Sequence, residues 1–164
     1  MNKNYIYIVC LVIITACNGY SDDFFDFLFN SKGISITMVC SDSPSILSEG
    51  RFFEIYSMSD VDTENAVKNI FDTANFNNSS KYPRYKIPKW KKTPVMDEKD
   101  SVYSFIHNEI KEDANTCFDE NTLRNALKQK RNYYTFLYDN LGRSKVFIWD
   151  VSNQKLFLLT SYEL

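Results

Sequence analysis

From Thr73 to Met96 the chain carries no acidic residue, while Lys81, Arg84, Lys86, Lys89, Lys91 and Lys92 are interleaved with Tyr82, Tyr85 and Trp90 around Pro83, Pro88 and Pro94. Cations set beside aromatic rings can grip an anionic surface, the charges meeting phosphate or carboxylate and the rings adding stacking or cation–π contact. The prolines lock φ and remove backbone donors, so an extended, polyproline-like path is expected rather than a helix. Such a strip suits phospholipid headgroups, lipopolysaccharide, an acidic protein face or, last in rank, a nucleic-acid strand. The plain alternative is a solvated loop whose aromatics pack on the domain while the lysine stems reach out to water.

Other residue types that carry chemistry are sparse. His107 is the single histidine, and with no GxSxG-type signature in the chain it reads as a surface residue rather than a catalytic base. Carboxylates are paired at Asp60 with Asp62 and at Glu109 with Asp113. Such spacings serve helix caps and solvated faces far more often than general acid–base work. CxxC and HExxH spacings do not occur, so no metal site is expected. The formal charge of −2 supplies no global field that would recruit nucleic acid. The expectation is a binding protein rather than an enzyme, without a cofactor.

The N-terminal residues set the address. Lys3 precedes an uncharged, largely apolar run from Tyr5 to Ile14, which closes on Ile14-Thr15-Ala16-Cys17. That is a short positive region, a hydrophobic region and a small-residue exit, and the run is shorter than the ~20 residues a membrane-crossing helix needs. The closing residues resemble the lipobox of bacterial lipoprotein precursors. The resemblance implies cleavage before Cys17, a diacylglycerol on its sulfur and acylation of its new amino group. Two or three acyl chains make a stable anchor, where one holds only reversibly. Asn18 stands where an aspartate favours inner-membrane retention in that family, which points to the outer membrane, facing the periplasm. An ordinary secretory signal cut near Ala16 or Gly19 is the alternative. In a viral or eukaryotic source, the overlapping sequons in Asn77-Asn78-Ser79-Ser80 would then become relevant.

Cysteine usage fits this address. Cys10 lies in the discarded segment and Cys17 takes the lipid, leaving Cys40 and Cys117 as a pair in an oxidising compartment. A disulfide is expected between them, with two buried thiols as the alternative. Closing so long a loop stabilises by at most ~4–5 kcal/mol in the chain-entropy model.

The elements that must position these residues follow from periodicity. An aromatic content of 16% with only 4 Gly and 4 Pro indicates a packed domain. Residues 1–16 read as signal peptide, 17–30 as lipidated N-terminus and tether, and 31–164 as a single domain. The run Phe24, Phe25, Phe27, Phe29 leaves open whether residues 20–29 are tether or core. Asn30 to Gly33 is a turn, and Ile34–Cys40 alternates as a strand that could close a first hairpin. Arg51–Met58 reads as a further strand. Ser59 and Asp62 form a capping box for a helix running to Ala74, Val102, Phe105, Ile106 and Ile110 make a second helical stripe, and Asp119 caps a third helix. Leu123, Ala126 and Leu127 point inward from that third helix, and Lys128, Lys130 and Arg131 suit its C-terminal dipole. Tyr133–Tyr138, Lys145–Val151 and Lys155–Ser161 form an antiparallel meander. One face is expected to carry Tyr134, Phe136, Tyr138, Val146, Ile148, Leu156 and Leu158, the other Phe147, Trp149, Phe157 and Leu159. Two apolar faces need cover on both sides, by helices on one and by the N-terminal hairpin on the other.

The expected class is therefore α+β, an antiparallel sheet of five or six strands with two or three helices. The expected function is a lipid-anchored envelope protein of immunity or inhibitor type that binds a protein partner, acidic if the basic strip is its contact. An accessory component of an envelope assembly, or a secreted non-lipidated binding protein, are the alternatives.

Overall fold

The computed structural model describes residues 20–42, 52–72, 81–110, 117, 119–140 and 143–161. The signal segment with Cys17, the 77–80 sequons, Ala74 and Asp113 lie outside them. In chain order the elements are α1 (Asp22–Phe29), β1 (Ile36–Asp42), β2 (Phe52–Met58), α2 (Asp60–Asn69), β3 (Lys91–Lys92), α3 (Ser101–Glu109), α4 (Glu120–Lys128), β4 (Tyr133–Tyr138), β5 (Ser144–Asp150) and β6 (Lys155–Ser161). The strands form one 6-stranded sheet in the order β1-β2-β6-β5-β4-β3, with every neighbouring pair antiparallel. The α+β class and the C-terminal meander are as the sequence indicates.

Local chemistry sets the helix boundaries. Ser59 accepts from the Asp62 N–H at 3.1 Å, Asp100 from the Val102 N–H at 3.0 Å and Asp119 from the Thr122 N–H at 2.7 Å, each satisfying a donor that the first turn leaves orphaned. α2 stops at Asn69 rather than running to Ala74, and Phe71 lies beyond it with 43% of its surface exposed. At the end of α1, Asn30 takes the left-handed conformation (φ 49°) that a C-terminal cap favours. Its side-chain amide donates to the Asp72 carbonyl at 2.8 Å, tying the end of α1 to the chain after α2.

Both faces of the sheet are covered. On one lie Val102, Tyr103 and Ile106 of α3 with Leu123, Ala126 and Leu127 of α4, packed on Phe53, Ile55, Tyr134, Val146, Ile148, Phe157 and Leu159. On the other lies α1, whose Phe24, Phe25, Phe27, Leu28 and Phe29 are all buried against Tyr56, Met58, Leu137, Phe147, Trp149, Leu156 and Leu158, with Ala66 and Ile70 at its margin. The second face is thus covered by a helix, not by an N-terminal hairpin, and β1 pairs with β2 instead. Residues 20–29 are core. The folded unit therefore includes residues 20–30 and does not start at residue 31.

The expected face assignment of β6 is corrected. β5 ends at Asp150, one residue earlier than the apolar pattern suggests, and Asp150 pairs with Lys155 across the turn. Directly opposed residues share a face, and a shift of one residue exchanges the faces of a whole strand. Leu156 and Leu158 therefore accompany Trp149 and Phe147, while Phe157 and Leu159 accompany Ile148 and Val146.

Cys40 and Cys117 are bridged, with Cα atoms 5.7 Å apart and 77 positions between them in sequence. The bridge joins edge strand β1 to the connection between α3 and α4, on the face those helices cover. Two outcomes are expected in urea unfolding. Phe29→Ala lowers stability by about 3–5 kcal/mol, the range for deleting a large buried ring. Replacing both bridged cysteines by serine lowers it by about 2–4 kcal/mol.

Candidate functional site

The basic aromatic strip is a strap laid along α1. The Tyr82 ring centroid lies 5.6 Å from that of Phe24 and 5.2 Å from that of Phe27, and Tyr85 sits 5.9 Å from Phe24. Trp90 stacks on Phe29 with centroids 5.4 Å apart and donates its indole N–H to the Leu28 carbonyl at 3.0 Å. Trp149 meets both rings edge-on, 4.9 Å from Phe29 and 6.0 Å from Trp90. The backbone of the strap is held as well. The Asn140 N–H donates to the Arg84 carbonyl at 3.0 Å, and Tyr85 forms an isolated bridge with Asp139.

With the rings turned inward, the cations turn outward. Lys81, Arg84, Lys86, Lys89, Lys91 and Lys92 are all exposed, whereas Tyr82 and Tyr85 are half-buried and Trp90 is buried. This is the snorkelling arrangement, in which the stacking capacity of the aromatics is spent on the core and only charge is offered to a partner. Lys81 pairs with Asp23 at 3.0 Å, and that hydrogen bond raises its pKa. Lys91 lies 4.0 Å from Asp100 and 5.3 Å from the Tyr134 ring centroid, and Lys92 lies 5.1 Å from that of Phe71. Burial tends to raise the Asp100 pKa, but hydrogen bonds from the Val102 N–H and the Tyr134 hydroxyl, with Lys91 nearby, hold it below the usual carboxylate range. The same burial and the bond to Asp100 push the Tyr134 phenol up.

A buried polar cluster near the N-terminal end of α1 escaped the sequence reading. Lys145 points to the α1 face of the sheet beside Phe147, is buried, and donates to the Tyr20 hydroxyl. Its ammonium also lies 4.9 Å from the Tyr20 ring centroid. Burial, reinforced by Arg143, pulls the Lys145 pKa down to about 8, against the opposing pull of Glu54 and Asp139. Next to it the Tyr56 hydroxyl donates to Glu54 at 2.7 Å. Burial first, and then Glu54, lift the Tyr56 phenol well above its ordinary range. A buried lysine with a lowered pKa has the chemistry of a nucleophile. Here its ammonium is occupied by Tyr20, and the arrangement works as a clamp that holds Tyr20, just before α1, on the sheet.

The remaining candidates have structural employment. His107 is exposed, with Nδ1 3.7 Å from the Glu120 carboxylate, and Glu120 is engaged by Arg124 at 2.7 Å. Asp62 belongs to the Ser59 cap, and Asp60 accepts from Gln154. Among the described residues no group of three His, Cys, Asp or Glu side chains is placed to hold a metal, and no helix is long and apolar enough to cross a membrane. No family model, curated protein or solved structure matches the chain.

The clamp makes a pH-dependent prediction. Between pH 8 and 10.5 the unfolded chain keeps the lysine proton that the folded chain has already released, so Lys145 makes stability rise with pH across that interval. Lys145→Met should remove the rise, changing the difference between variant and parent by about 2–3 kcal/mol from pH 7 to pH 10.5 in chemical denaturation.

Proposed function

We propose that this chain is an envelope lipoprotein, anchored through Cys17, whose folded domain acts by binding a protein partner outside the cytoplasm as an immunity or inhibitor protein does. The observation that carries the reading is the burial of α1 directly after the lipobox. Only Asn18 and Gly19 separate Cys17 from Tyr20, which is clamped to Lys145. An acyl chain on Cys17 would thus hold the domain within a few residues of its attachment point. The Cys40–Cys117 bridge suits an oxidising compartment. The exposed cations of the strap, backed by a packed aromatic layer, give a rigid charged surface, and rigid surfaces bind without a large ordering cost.

An accessory role in an envelope assembly would use the same anchor and the same surface, and partner number separates the two. For the anchor, the mature protein extracted from membranes is expected to begin at Cys17 and to carry the mass of a diacylglyceryl group, and Cys17→Ser should release it from the membrane fraction. A mature chain that begins at another residue, or a Cys17 without lipid, would refute the lipoprotein reading. For the partner, affinity capture should recover one protein in stoichiometric amount, with its hydrolytic or toxic activity suppressed. Several resident envelope proteins captured together would favour the assembly role.

A further inference from the structure

We infer that the end of the sheet remote from Tyr20 is a docking surface for an acidic protein face, built from two basic runs that are far apart in sequence. Thr93 joins them. Its N–H donates to the Asn132 carbonyl at 3.0 Å, its hydroxyl donates to the same carbonyl at 3.0 Å and to that of Gln129, and the Asn132 N–H donates back to the hydroxyl at 3.0 Å. The Val95 N–H donates to the Leu127 carbonyl at 2.9 Å. These bonds bring the segment of Lys91 and Lys92 to the same end of the sheet as Lys128, Lys130 and Arg131, with Lys89 two residues further along the strap, and all six are exposed.

Lys91 has Asp100 near it, and the other five cations make no ion pair among the described residues. The dipole of α4 accounts for Lys128 in its last turn, but Lys130 and Arg131 lie past the helix end, where that effect has faded. Phe71, half-exposed beneath the Lys92 ammonium, adds an aromatic contact within the charged cap. A ring amid cations is the composition of an interface that meets carboxylates around an apolar spot.

The choice of an acidic protein over a membrane surface rests on the lipoprotein reading. Tyr20 is fastened to Lys145 near the start of β5, whereas Lys92 pairs with Tyr133, whose own partner is Trp149 at the far end of β5. From Lys145 to Trp149 the strand rises about 13 Å, and Lys130 and Arg131 lie beyond. At physiological salt the Debye length is ~8 Å, so headgroups held at the Tyr20 end lie outside the electrostatic reach of the cap. Lys81, Arg84 and Lys86 belong to the Tyr20 end, where Lys81 pairs with Asp23 and the strap meets Asp139, so charge is mixed.

The test uses the full chain carrying Cys17→Ser, so that vesicle binding cannot come from the anchor. The probes are a labelled peptide of alternating glutamate and aromatic residues, read by fluorescence anisotropy, and vesicles of anionic or zwitterionic phospholipid, read by flotation. The peptide is expected to bind in a salt-dependent way and to weaken roughly tenfold or more with Lys128→Glu, Lys130→Glu and Arg131→Glu together, and likewise with Lys89→Glu and Lys92→Glu. Arg84→Glu with Lys86→Glu, at the other end, should change affinity less than about twofold. Should charge reversal unfold the protein, glutamine at 128, 130 and 131 gives the same ordering with a smaller loss. No peptide binding, or equal losses at both ends, overturns the inference, as does flotation with anionic vesicles that the cap substitutions abolish. A mature wild-type chain without lipid on Cys17 removes the lipoprotein reading and leaves the peptide result to be judged on its own.

Discussion

The packing of Phe29, Trp90 and Trp149 around one another is the contact on which the rest of the molecule depends. An isolated helix as short as α1 does not persist in water, because helices below ~12–15 residues are marginal even with good formers. α1 persists because it is enclosed, with the sheet under it, α2 at its margin and the strap over it. The strap in turn has no repeating backbone pattern of its own apart from the two residues of β3. It follows α1 because Tyr82, Tyr85 and Trp90 find their apolar neighbours there. Each element supplies the surface that fixes the other.

This mutual dependence gives the molecule two unlike ends. At one, Tyr20 is clamped to a lysine that sits among aromatic and carboxylate groups. At the other, the hydrogen bonds of Thr93 gather cations from two segments. The opposite face is stiffened separately, by the helix pair α3 and α4 and by the bridge from β1. Exposed single lysines contribute little to stability. Their placement therefore has little bearing on folding, whereas the buried Lys145 bears on it directly.

The elements with strong local signals were legible in the chain. Ser59 and Asp119 were recognisable as caps because a short polar side chain three residues before a first-turn donor has a local job wherever the helix packs. The meander was legible because β-rich runs joined by short connections have few other ways to pair. The exposure of His107 followed from helical geometry alone, and the pairing of Cys40 with Cys117 from their count together with the expectation of an oxidising compartment. In the strap, the inward aromatics and outward cations were one of two readings the residues allowed.

What the sequence determined by itself was thus the kind and order of most elements, since these depend on neighbours within a turn or a strand. Tertiary structure alone decided where α1 belongs, because a phenylalanine run has no period that separates helix from strand or core from tether until a surface buries it. It decided the faces of β6, because a turn beginning one residue earlier inverts every side chain that follows. It decided the role of Lys145, whose position in alternation with Phe147 and Trp149 marks an inward lysine but cannot show Tyr20 covering it. And it decided that the segment of Lys91 and Lys92 lies against the chain that follows α4, since runs distant in sequence meet only when backbone hydrogen bonds such as those of Thr93 bring them together.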